Sequence, residues 1–145
     1  MKGCLKVIVV IAAILLLALV PQVLVLYKEY QVRRTGPARI LAACREMITN
    51  RSAFRNDRDK WSDLLNQDAV QLLPPLPENF PQVIRDLHPR VILIREDNVL
   101  MDFNVPLARA AILGFQPGAR QYGTYQFCDG LWFWNGNKSK GSEKP

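Results

Sequence analysis

Histidine is almost missing from this chain of 145 residues: His88 is the only one. A histidine metal site needs several ligands, so that class is excluded. His88 sits between a helix end and Pro89, a position that fits a ring capping a backbone carbonyl better than one transferring protons. Cysteine is scarce too, with three in all and none in CxxC spacing, which removes the common zinc arrangements. The eight glycines form no phosphate-cradling loop, and no GxSxG turn or HExxH helix is present. Asp57 and Asp59 begin as a calcium loop would, but Trp61 takes the fifth position and Ser62 replaces the glycine needed at the sixth. Asp102, between Met101 and Phe103, is either a half-buried acid or a residue on the polar side of a sheet. One carboxylate alone does not make an active site. The expectation is a protein that is not an enzyme, with no metal and no cofactor.

Charge is missing altogether from Val7 to Tyr27, a run of 21 residues whose strongest polar group is Gln22. An α-helix of that length crosses about 30 Å of hydrocarbon. The run is too long for a cleaved signal peptide, and large Leu16 stands where a cleavage site ending at Ala18 needs a small residue. Cys4 precedes the run instead of closing it, which is no lipidation context. Residues 7–27 are therefore read as a transmembrane anchor in contact with the lipid bilayer, with Pro21 kinking it or marking its interfacial end.

Acidic residues are the minority, 13 against 19 Lys and Arg. Much of the excess lies in Lys28, Arg33, Arg34 and Arg39, next to where headgroups would be, and such a cluster favours anionic lipid. The basic pI is assigned to that cluster, and no nucleic-acid partner is expected. Positive charge flanks both ends of the run, since Lys2 and Lys6 precede it, so charge does not set the orientation. A short N-terminal segment and the even pair Cys44 and Cys128 favour a soluble domain outside the cytoplasm. Those two cysteines either bridge or remain two buried thiols, one on an apolar helix face and one ending a strand.

Five segments follow: a flank at 1–6, the anchor at 7–27, a basic juxtamembrane linker at 28–36, a domain at 37–135 and a polar disordered tail at 136–145. The 118 residues beyond the anchor (28–145) suffice for one modest core. Pro37 suits the first position of a helix in which Ile40, Leu41, Cys44, Met47 and Ile48 recur at helical spacing, with Asn50 as a left-handed stop. Trp61, Leu64 and Leu65 suggest a short helix capped by Asp59. Residues 72–81 (LLPPLPENFP) form an irregular connection too apolar for a linker. Phe80, Val83, Ile84 and Leu87, bounded by Pro81 and Pro89, predict a helix of about ten residues.

From Arg90 onward the period changes to that of strands. RVILIRE, NVLMDFNV, ARAAILGF, QYGTYQFC and LWFWNG are strand-like runs, and Asp129-Gly130 is a strong hairpin signal. The expected fold is α+β: an N-terminal transmembrane helix, then two or three short helices on an antiparallel meander of four or five strands. In the last strand Leu131 and Phe133 face one way and Trp132 and Trp134 the other. Trp132, Trp134 and Tyr125 are the candidate binding residues.

The LPENFPQVIRDLHP stretch, with Leu76, Pro77, Ile84, Arg85, Leu87 and Pro89, leads to the aromatic run at 132–134. It resembles a pattern of small, uncharacterised single-span bacterial membrane proteins, and that resemblance implies no activity. The proline-containing apolar helix followed by an antiparallel sheet, with Lys2-Gly3 before it, is similar to type IV pilins and pseudopilins. The sequence departs from that family at Cys4, at Lys6 and at Ile8, where a glutamate is expected. The expected function is a non-catalytic, membrane-anchored binding or interaction module for an unknown protein or envelope partner. A pilin-like assembly subunit and a small envelope enzyme with an unrecognised site are the alternatives.

Overall fold

The computed structural model describes residues 2–54, 69–103, 111–118 and 125–135. The expected helix around Trp61, the ring of Tyr122 and the tail at 136–145 lie outside the described residues.

Helix α1 (Lys2–Thr35) is continuous over 34 residues with Pro21 inside it, about 50 Å at 1.5 Å per residue. Its uncharged band is open: Ile8, Leu15, Leu16 and Leu17 are each more exposed than buried. Among the described residues it is the one helix long and apolar enough to cross a membrane, by length and composition. Beyond the band the same helix becomes a core element. Pro21 is buried, Val25 and Val32 are fully buried, and Leu24 is packed against them. Residues 28–35, expected as part of a linker, are therefore the last two turns of α1. The basic residues there hide an apolar stripe running from Pro21 through Val25 to Val32.

Gly36 ends α1 at φ 95°, a left-handed conformation that glycine adopts without steric cost, and its N–H donates to the Val32 carbonyl at 3.3 Å. Pro37 then opens α2 (Pro37–Thr49), which buries Ile40, Ala43, Cys44 and Met47 along the stripe the spacing predicts. Asn50 stops α2 with φ −96°, not left-handed as expected. A 3-10 turn at Arg51–Phe54 turns the chain away and sets Phe54 edge-on to Phe80 at 5.0 Å.

Helix α3 (Gln82–Arg85) has four residues instead of about ten. Pro81 is extended at ψ 123°, so the helix starts after it, and His88 at φ 51° with Pro89 behind it ends the turn. Phe80, Ile84 and Leu87 are nonetheless all buried, as their spacing requires.

Six strands form one antiparallel sheet: β1 (Val70–Leu72), β2 (Val91–Ile94), β3 (Val99–Asp102), β4 (Ala111–Phe115), β5 (Tyr125–Cys128) and β6 (Leu131–Asn135). Their order is β1-β2-β3-β4-β6-β5, so the meander breaks after β4 and β5 takes the edge. The α+β class holds. The sheet gains β1, three residues hidden before the proline-rich connection, which pair Val70 with Ile94 and Leu72 with Ile92. One face carries the core: Ile92, Met101, Leu113 and Phe133 form a cross-strand row under the helices. Fully burying each such side chain contributes about 1.5–3 kcal/mol.

The other face is built around an absence. Gly114 pairs with Trp132 across β4 and β6, and the indole lies flat where a β-carbon would stand. Gly114→Ala is expected to cost about 1–3 kcal/mol through overlap with the indole, read by denaturant unfolding of the detergent-solubilised chain. In a Trp132→Leu background the same substitution should cost markedly less. An equal cost in both backgrounds contradicts the stacked arrangement.

Candidate functional site

The sheet face that no helix covers among the described residues is read from the register. One cross-strand row is Leu93, Leu100, Gly114, Trp132 and Gln126, and the next is Val91, Asp102, Ile112 and Trp134. Alternation along β6 sends Trp132 and Trp134 to this face and Leu131 and Phe133 to the core, as the sequence pattern predicts. Both indoles are half-buried, flanked by half-buried Leu100 and Ile112. The Nε1 donor of Trp132 is sheltered from solvent and has no hydrogen-bond partner among the described residues. Such a donor is costly unless an acceptor reaches it. Asp102 stands on this face beside Trp134's row, half-buried.

Tyr125 does not join the two tryptophans. It pairs with Phe133 on the opposite face, its ring edge-on to Phe127 at 4.9 Å and the Arg33 guanidinium above it at 4.3 Å. The three candidate rings are therefore split between the two sides of the sheet.

The four basic residues after the apolar band also divide. Lys28 donates from Nζ to the Leu87 carbonyl at 3.1 Å and lies over the Phe103 ring at 5.3 Å. Arg33 stacks on Tyr125 and holds Glu29 at 2.9 Å. Both are engaged with the protein itself. Arg34 and Arg39 instead line an open groove of about 430 Å³ between α1, α2 and α3, together with Tyr27, Tyr30 and Asp86. Asp86 there accepts from Gln82 at 2.6 Å.

Asp102, at the end of β3, accepts the Arg90 N–H on its backbone carbonyl, two residues from His88. His88 Nδ1 is 2.8 Å from the Asp86 carbonyl, which can only accept, so Nδ1 carries the proton and the ring caps the chain as its position suggested. Asp129 lies in the β5–β6 turn, at the opposite end of the strands from His88 and Arg90. No group of three or more His, Cys, Asp and Glu able to hold a metal occurs among the described residues. A second groove, of about 350 Å³, is lined by Pro74, Leu76, Arg85, His88, Pro89 and Arg90. The apolar LLPPLP connection was its signal in the sequence.

Cys44 on α2 and Cys128 on β5 are both free thiols, Cys44 buried and Cys128 half-buried. Burial, and then neighbouring Cys128, push the Cys44 thiol up to about 12. Cys128 is raised less, by burial first and by Asp129, against the pull of Arg45. No protein-family model, no curated protein and no solved structure matches this chain.

With a pKa near 12, roughly one Cys44 in ten thousand is ionised at pH 8, and the thiolate is the reacting species. A maleimide at pH 8 should modify half-buried Cys128 well before Cys44, which reacts only on unfolding, as mass spectrometry of peptides would read. Equal rates at the two sites contradict the packing of Cys44.

Proposed function

We propose that this chain is a non-catalytic, single-pass membrane protein whose α+β domain lies outside the cytoplasm and binds another protein or an envelope component. The observation that carries this reading is the continuity of α1 from an exposed uncharged band into the domain core. A helix built in this way holds its domain at a fixed height beside the bilayer, because no flexible segment separates anchor from fold. The Trp132 and Trp134 face is the contact surface: among the described residues no helix lies above its two indoles and two aliphatic side chains, and one indole N–H has no acceptor. A partner's carbonyl at that N–H would give it the acceptor it lacks. Arg34 and Arg39, with Tyr27 and Tyr30 beside them, offer the groove at the top of the anchor to anionic headgroups.

A second reading draws on the same helix. An N-terminal half left open and a C-terminal end packed on an antiparallel sheet also suit an assembly subunit of the pilin kind, whose free half-helices bundle with one another. A mass spectrum showing Met1 through Gly3 intact on the mature chain would exclude the processing which that reading requires.

The full-length chain is expected to stay in the membrane pellet after alkaline carbonate extraction, and release into the supernatant would refute the anchor. On intact cells an impermeant maleimide should reach Cys128 in a Cys4→Ser variant; reaction only after permeabilisation would put the domain in the cytoplasm. Trp134→Ala is expected to lower partner co-purification while shifting the thermal midpoint little, since the ring is half-exposed. Unchanged co-purification with the Trp132→Ala/Trp134→Ala pair would remove the contact surface.

A further inference from the structure

The end of the sheet that carries the second groove points toward the apolar band of α1. Lys28 touches Leu87 and Phe103, so the end of the sheet holding Arg90, Phe103 and Ala111 is level with Lys28. Arg33, about 7.5 Å further along α1, stands over Tyr125, whose cross-strand row lies one pair of residues in from that end, about 7 Å along the strands. Moving up α1 therefore moves away from this sheet end, and moving down it leads to the band. β1 runs antiparallel to β2 with Leu72 opposite Ile92, so Leu73 and Pro74 emerge at this same end.

Helix length fixes the depth. If charged Lys6 stays out of the hydrocarbon, about 20 residues of helix span it from Val7 to Leu26 or Tyr27. Yet Pro21 and Val25 are already covered by the fold, so the cover begins up to about 9 Å below the upper edge of that layer. A rim at this level meets lipid, and its composition fits. Leu73, 57% exposed, is the one large hydrophobic side chain exposed outside α1 among the described residues. Next to it are exposed Pro74 and half-buried Leu76, with buried Pro89 behind them and Arg85 and Arg90 at the border. Apolar side chains flanked by arginines whose stems reach upward is the arrangement that suits an acyl–headgroup boundary.

We infer that the rim formed by Leu73, Pro74 and Leu76 is seated in the interfacial layer of the bilayer that α1 crosses, with Arg85 and Arg90 on the phosphates of anionic lipid. This rests on the anchored reading above and adds a second membrane contact to it. The domain then has a fixed orientation as well as a fixed height, which leaves the Asp97 and Asp129 turns at the far end of the sheet directed away from the membrane.

The test is photocrosslinking of the full-length chain in vesicles of mixed phosphatidylcholine and phosphatidylglycerol, with a benzophenone amino acid replacing Leu73, Leu15 or Asp97 in turn. Phospholipid adducts are expected at positions 15 and 73 and none at 97. Lipid adducts at 15 with none at 73, or a protein adduct at 73, would overturn the rim contact and leave the anchor standing. No lipid adduct at 15 would remove the anchored reading and the rim with it. In the position-73 chain, Arg85→Gln and Arg90→Gln are each expected to lower the phosphatidylglycerol share of adducts about fivefold. An unchanged share would overturn the headgroup contact.

Discussion

The last turns of α1 belong to two environments at once, and the architecture depends on how they are held. Val25 and Val32 are fully buried on one side, while Val23, Leu26, Tyr27 and Tyr30 remain exposed on the other. Between them Lys28 and Arg33 reach onto the domain, Lys28 part-buried and Arg33 half-exposed. Lys28 supplies a donor to the Leu87 carbonyl at the end of a short helix, where carbonyls lack helical partners. Arg33 covers the Tyr125 and Phe127 rings of the edge strand. A segment that would otherwise be a tether is thereby made part of the core, and α2 follows it through Gly36 without slack.

The sheet inherits two unlike faces from this arrangement. The face under α1, α2 and α3 collects the large buried side chains, including Phe115 and Phe133. The opposite face keeps half-buried leucine, isoleucine and tryptophan, with Gly114 lowered to admit the Trp132 ring. A solvated antiparallel face ordinarily alternates to polar residues, and this one, among the described residues, does so only at Gln71, Asp102 and Gln126. That departure, together with an indole N–H that has no acceptor among the described residues, is what the proposed contact surface rests on.

Much of this was legible in the sequence where a period was long or a turn residue decisive. The apolar run, the α2 stripe, the Asp129-Gly130 hairpin and the alternation of Trp132 and Trp134 were all readable because spacing alone fixes which side chains share a face. The helical state of residues 28–35 was not read because three basic residues outweigh a stripe carried by Val25 and Val32, and only tertiary packing shows that Lys28 and Arg33 engage the domain. β1 escaped because three residues carry no period. The split of Tyr125 from the tryptophans follows from pairing β5 outside β6, a matter of register that the β5 sequence does not state. The rim at Leu73 appears only once the sheet is oriented along α1.

The central claim is that the end of α1 is core and not tether, and thermal unfolding of the full chain carrying Val32→Asp tests it most directly. A buried, unpaired carboxylate at that position should cost on the order of 3 kcal/mol or more, lowering the unfolding midpoint of the domain by many degrees, while Arg34→Asp on the exposed side of the same turn shifts it little. An unchanged midpoint for Val32→Asp would mean that the helix end does not pack on the domain.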